Sequence, residues 1–302
     1  MPHQPGERPI RSSPVPADDF RVGKIVTVCA AVVSLVSLVI VVIAMPAGVH
    51  RSPDPGTPTT SLWMILLPAV VVLGLTRLLP LATPDVQPLV RDRRVVRRDV
   101  VILMGCVVAF PLVIGIGSLN ASAWYYLVKL AVLIGLPLMV VLRSRGSIQV
   151  PAPRQRWQWV PPILIVVIWA FLSVAAPWGP PQADYSSIDP VLLVIQSTLT
   201  LITASVAEEI FYRRWLQTRV EGLLGRWAGI AVGSLAFAVM HLGGNRQPGG
   251  AVVEVAAAVV IQGSFGLMLG YLWSRYRNIW ICILIHVLTN GFGIAVFLLT
   301  GG

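Results

Sequence analysis

The sequence predicts an all-α fold, a polytopic transmembrane helical bundle of about eight to nine spans, and three observations carry that expectation. Of the 302 residues, 56% are hydrophobic and only 12% charged, whereas a soluble domain carries about 25% charged residues. The apolar residues fall into long runs, each near the roughly 20 residues needed to cross a hydrocarbon core. The basic residues collect in alternate loops between those runs.

Nine runs are read as helices: Ile25–Met45, Leu62–Leu79, Val100–Ile116, Trp124–Leu142, Trp159–Ala176, Pro190–Tyr212, Trp227–Leu242, Val252–Trp273 and Ile279–Leu299. The first is too long for a signal-peptide core and suits a spanning helix. The seventh is short enough to be broken or re-entrant, and Gly291 and Gly293 invite a kink in the ninth. Residues 1–22, polar and Pro-rich, read as a disordered cytosolic tail. Residues 23–189 read as accessory transmembrane helices and 190–302 as the functional core, with no soluble domain and no internal repeat.

Of 23 Lys and Arg, 19 fall in the tail and alternate loops, including Arg91, Arg93, Arg94, Arg97, Arg98, Arg143, Arg145 and Arg154. Only Arg51 and Arg246 fall in the opposite loops. By the positive-inside rule the N-terminus and the basic loops are cytosolic. The same distribution sets aside a nucleic-acid partner despite the net charge of +10, leaving the lipid bilayer as the surrounding partner. The excess of Arg over Lys, with abundant Ala, Val, Gly and Pro, suggests a bacterial plasma membrane. The three cysteines lie in apolar runs without metal-ligand spacing and read as packing residues.

Ionisable groups inside the runs need a reason, because a charge at the bilayer centre costs at least about 2.5–3.5 kcal/mol. Glu208, Glu209 and Arg213 sit in the sixth run, His241 ends the seventh, and His286 and Asn290 lie in the ninth. Glu209 and Arg213 are one helical turn apart and can pair. Glu208 points about 100° away and stays free. Phe237 with His241, and His286 with Asn290, share helix faces in the same way. A buried Glu suits general-base activation of water. The histidines can hold that water, bind a metal or donate to an oxyanion, and an Asn amide is an oxyanion donor. Read singly, each feature has a plainer account. The EE and RR pairs can be a solvated interfacial cluster, and a lone His can bridge helices. Arg77 and Lys129 can snorkel to the interface, and Glu254 can serve packing.

Taken together, EE-x-x-x-R (Glu208, Glu209, Arg213), F-x-x-x-H (Phe237, His241) and H-x-x-x-N (His286, Asn290) occur in that order in membrane helices. This set resembles the CPBP family of intramembrane proteases, which includes type II CAAX prenyl endopeptidases and bacteriocin-processing or self-immunity (Abi) proteins. The resemblance covers about residues 190–298. It implies an all-helical fold with its catalytic groups in a cavity open to the cytosol and a peptide or membrane-protein substrate. Glu208 is then the base, His241 holds the water, and His286 and Asn290 stabilise the oxyanion. Glu209, Arg213 and Phe237 are supporting residues. The cofactor is left open between a divalent metal such as zinc, with His241, His286 and Glu208 as candidate ligands, and a glutamate-dependent reaction without metal. Competing readings are a non-proteolytic scaffold or immunity factor of the same fold and a proton-coupled transporter. A shared site requires the tips of Glu208, His241, His286 and Asn290 to converge.

Overall fold

The structure, a computed structural model, describes residues 15–50, 58–82, 87–119, 122, 124–150, 155–180, 183–242 and 247–300. Most of the expected tail, and loop arginines Arg51, Arg154 and Arg246, lie outside the described residues. The described residues form nine helices: α1 (Ala17–Ala44), α2 (Leu62–Leu78), α3 (Arg93–Ile116), α4 (Trp124–Arg143), α5 (Arg156–Ala175), α6 (Pro190–Leu224), α7 (Arg226–Met240), α8 (Ala251–Tyr276) and α9 (Ile279–Thr300). Seven are long and apolar enough to cross a bilayer, while α2 and α7 are shorter. At 1.5 Å per residue, the 15 residues of α7 span only about 22 Å.

Sheet structure among the described residues is confined to a two-strand ribbon, in which β1 (Leu89–Val90) pairs antiparallel with β2 (Ile148–Gln149). It ties the segment before α3 to the segment after α4. Helix α7 packs on α8, and α1 lies across both. α2 packs on α8 and α5, α3 on α6 and α7, and α9 against α6 and α5. Helices from both halves of the chain thus surround α6–α8. Outward-facing Ile25, Val28, Leu35 and Ile43 on α1, with Val191 and Ile195 on α6, are exposed apolar side chains. Such a surface is costly in water and suits lipid.

The two largest shifts of a helix boundary from the sequence expectation have a physical reason, and one expected kink is absent. α1 starts at Ala17, so residues 17–22 are helical and not part of a disordered tail. Asp18 and Asp19 sit in its first turn, where the helix dipole favours anions. Asp19 also pairs with Arg93 and Arg97 of α3. α6 runs 12 residues past Tyr212 because its polar C-terminal half is paired inside protein. Arg219 Nε meets Asp99 Oδ2 at 3.1 Å. Gln217 Nε2 donates to Glu221 and to the Gly270 carbonyl, both at 2.8 Å. Arg277 pairs with Glu221 at 2.5 Å, and Trp273 Nε1 donates to Thr218 Oγ1 at 3.0 Å. α9 is continuous through Gly291 and Gly293.

The turn from α6 to α7 is a single residue, Gly225, at φ +94°, a conformation that a Cβ disfavours. A Cβ at Gly229 would lie 2.2 Å from Glu221 Cγ and 2.9 Å from the Gln217 carbonyl oxygen. Glycine at both places lets α7 return flush against α6, which sets Phe237 and His241 beside the carboxylates of α6.

Candidate active site

Glu208 and Glu209 lie on a short α-helical stretch of α6 between two stretches of widened, i→i+5 turns, Leu201–Val206 and Ile210–Gln217. Widened turns recur at functional sites because they redirect side chains and free carbonyls. Here the Arg213 carbonyl accepts both the Thr218 N–H across the widened turn and Thr218 Oγ1 at 2.8 Å.

The two adjacent carboxylates face different partners, and both are 0% exposed. Glu209 Oε2 accepts from Arg213 Nε at 3.0 Å, as the one-turn spacing predicts. Glu209 Oε1 is 2.8 Å from Nδ1 of His286 on α9. Arg213 is itself fully buried, and its guanidinium carbon lies 5.4 Å from the centre of the Phe237 ring. Glu208 turns toward α4, where the ammonium of Lys129 lies 2.6 Å from Oε1. Among the described residues neither Glu208 oxygen has a hydrogen-bond partner, and Oε2 lacks an ion-pair partner as well.

Lys129 corrects the sequence reading. It does not snorkel to an interface; it is 5% exposed and points into the bundle. Its distance from the motifs in sequence hid the pairing. The signal present was its place among apolar residues on a helix also carrying Tyr125, whose ring centre is 5.4 Å from the Lys129 nitrogen.

The Phe237 ring links the two histidines. Its centre is 4.7 Å from that of His241 and 5.9 Å from that of His286. Phe265 closes on His286 from α8 at 5.2 Å. His241 caps the end of α7, and its Nδ1 is 2.8 Å from the Phe237 carbonyl. A carbonyl only accepts, so Nδ1 carries the proton and a neutral ring has its lone pair on Nε2. The same argument applies to His286, whose Nδ1–H faces a carboxylate. A carboxylate behind an imidazole fixes its orientation and tautomer. His241 lies within electrostatic reach of Glu208, Lys129 and His286. Asn290, one turn beyond His286, donates Nδ2 to Ser205 Oγ on α6 at 3.2 Å.

Contacts thus link Glu209, Arg213, Phe237, His241 and His286 into one cluster, with the Glu208–Lys129 pair within electrostatic reach of His241 and Asn290 on the α6–α9 wall. The partner of His286 is Glu209, a contact the helical spacing alone did not predict. A metal does not fit the donors as placed. Among the described residues, no three His, Cys, Asp or Glu side chains group as ligands, and one Glu208 oxygen already faces an ammonium. The separate cleft of about 680 Å³ lies elsewhere, between α1, the ribbon and the α6–α7 turn.

Fold and site together define an all-helical integral membrane protein with a buried carboxylate–histidine–amide cluster. Residues 190–292, from the start of α6 into α9, match the family described as type II CAAX prenyl endopeptidase Rce1-like, which is the CPBP family. That stretch holds every motif residue above, whereas Lys129 lies outside it. No curated protein and no solved structure matches the chain.

Proposed function

We propose that this protein is an intramembrane endopeptidase that hydrolyses a peptide bond of a membrane-associated protein or peptide, with Glu208 activating the water. The observation that supports the reading most directly is the Glu208 carboxylate. It is buried, ion-paired at one oxygen, open at the other, and within electrostatic reach of the oriented His241 ring.

In this reaction water donates one proton to Glu208 Oε2 and a hydrogen bond to the His241 Nε2 lone pair. The water oxygen bonds to the scissile carbonyl carbon, and the carbonyl π electrons move to its oxygen. Asn290 spends one amide N–H on Ser205 and has a second for that oxyanion. His286, when protonated at both nitrogens, keeps its bond to Glu209 and offers Nε2–H to the same oxyanion. Collapse restores the carbonyl, breaks the C–N bond, and sends the Glu208 proton to the leaving amine. The groups are buried, and exclusion of bulk water strengthens such contacts.

The test is a substrate trap. Membranes carrying the Glu208→Gln variant should capture a membrane-associated peptide that wild-type membranes shorten. A Glu208→Gln protein that cleaves the captured peptide at the wild-type rate rejects the proposal. A scaffold or immunity factor would bind its partner and leave it intact in both.

A further inference from the structure

We propose that Lys129, on α4 and outside the stretch that matches the family, is a positioning residue of the hydrolytic site: it holds the Glu208 carboxylate by one oxygen, supplies its counter-charge, and remains as the cation facing the charge that moves onto substrate. The proposal rests on Glu208 acting as the base.

The geometry that carries it is local. The Lys129 nitrogen lies 2.6 Å from Glu208 Oε1, within a charge-assisted hydrogen-bond distance, and the two side chains are nearly inaccessible. Neither Glu208 oxygen has a hydrogen-bond partner among the described residues, and Oε1 alone meets a cation, so the ion pair orients the carboxylate and leaves Oε2 for water. Tyr125, one turn before Lys129, places its ring beneath the ammonium. The ionisable groups facing this pair are Tyr125 from α4, Tyr212 from α6 and His241 from α7, with His286 of α9 behind His241. None of these supplies a permanent positive charge. Arg213, the nearest arginine on α6, has its Nε on Glu209. A carboxyl buried without a cation favours its neutral form, and a neutral carboxyl cannot take a proton from water. Lys129 removes that obstacle.

Charge bookkeeping through the reaction points the same way. In the resting site the negative charge is on Glu208. When water is deprotonated and adds to the carbonyl, Glu208 becomes neutral and the charge appears on the carbonyl oxygen. The ammonium keeps its proton throughout and exchanges one anionic neighbour for another. Lysine suits this task because its compact ammonium sits on a flexible stem and can follow the charge over a short distance.

The experiment uses the full-length protein in lipid nanodiscs. Infrared difference spectra between each form and its Glu208→Gln counterpart isolate the Glu208 carboxyl. At neutral pH the Lys129→Met and Lys129→Gln variants should show a neutral-carboxyl band that the parent and Lys129→Arg lack. With the peptide captured above as substrate, kcat should fall at least about tenfold in both neutral variants, with KM little changed, and recover largely in Lys129→Arg. A purely structural lysine would lower thermal stability and leave both the band and kcat of the folded fraction unmoved; that result overturns the proposal. Lys129→Gln covers the case in which the methionine variant does not fold. If Glu208→Gln itself keeps activity, the base assignment fails first. If Glu208→Gln is inactive but the neutral variants show no band and normal kcat, only the role of Lys129 fails.

Discussion

Replacing Glu209 by alanine strips two buried groups of their acceptor at once. Arg213 Nε loses a 3.0 Å contact and His286 Nδ1 a 2.8 Å contact. Arg213 is 0% exposed, and neither of its terminal nitrogens has a hydrogen-bond partner among the described residues. Breaking a buried ion pair from one side costs about 3–5 kcal/mol, because the remaining charge is uncompensated. For a chain this long each kcal/mol shifts the midpoint by about 2 °C, so the expected loss in Tm is about 6–10 °C. The assay is thermal unfolding in nanodiscs followed by tryptophan fluorescence, to which buried Trp273 and Trp215 contribute. The double variant Glu209→Leu/Arg213→Leu removes both charges and should regain most of that loss, since a buried pair can often be replaced by apolar groups at little cost. A Glu209→Ala protein within about 2 °C of wild type would refute the reasoning. It would mean that Arg213 reaches water or another anion and that the pair is not a structural element of the site.

Three further outcomes follow from other parts of the molecule. Asn290→Ala removes an amide donor beside His286 and should lower kcat about 100- to 1000-fold with little change in thermal stability, as read by cleavage of the trapped peptide and by unfolding. Chelators should leave cleavage unchanged, because the donors in the described site do not group as metal ligands; a loss restored by added zinc would reverse that conclusion. Single cysteines placed at Arg94 and Arg145, both exposed beside the ribbon, should resist an impermeant thiol reagent in intact cells and react after permeabilisation.

The sequence carried the helices and the three motif pairs because both are local. Apolar run length reports a span, and spacing of four residues reports a shared helix face, which is why Glu209 and Arg213 could be paired in advance. It misplaced the end of α6 because hydropathy treats polar residues as water-facing. Gln217, Arg219 and Glu221 are instead paired with Gly270, Asp99 and Arg277, contributed by α8, α3 and the turn after α8. Contacts between distant segments were not legible at all. The His286–Glu209 bond joins positions 77 apart, and Lys129 reaches Glu208 from another helix. At a span end a snorkelling lysine and a counter-ion look alike in sequence, and only the direction of the helix face separates them. The widened turns in α6 had no sequence signal, yet they set where the adjacent carboxylates point.

That separation of the carboxylates leads to a last prediction. Glu208 and Glu209 are neighbours in sequence and equally buried, so a view based on burial alone expects equal stability losses from Glu208→Gln and Glu209→Gln. The cations they face differ. A guanidinium does not give up its proton in a protein, so Arg213 without Glu209 remains a buried charge. A lysine can escape by becoming neutral, and that escape caps the cost of leaving Lys129 unpaired. The cap at pH 7 is about 4.6 kcal/mol, from 1.36 kcal/mol for each unit between a reference value near 10.4 and pH 7. The corresponding cap for arginine exceeds about 7 kcal/mol. Glu209→Gln also weakens the acceptor of His286, whereas among the described residues no histidine nitrogen donates to Glu208. Glu209→Gln should therefore lose more Tm than Glu208→Gln, and the gap should narrow as pH falls and Lys129 is held protonated in both. Equal losses across that pH range would show that the two carboxylates share one environment, and the assignment of Glu208 to chemistry and Glu209 to structure would lose its physical basis.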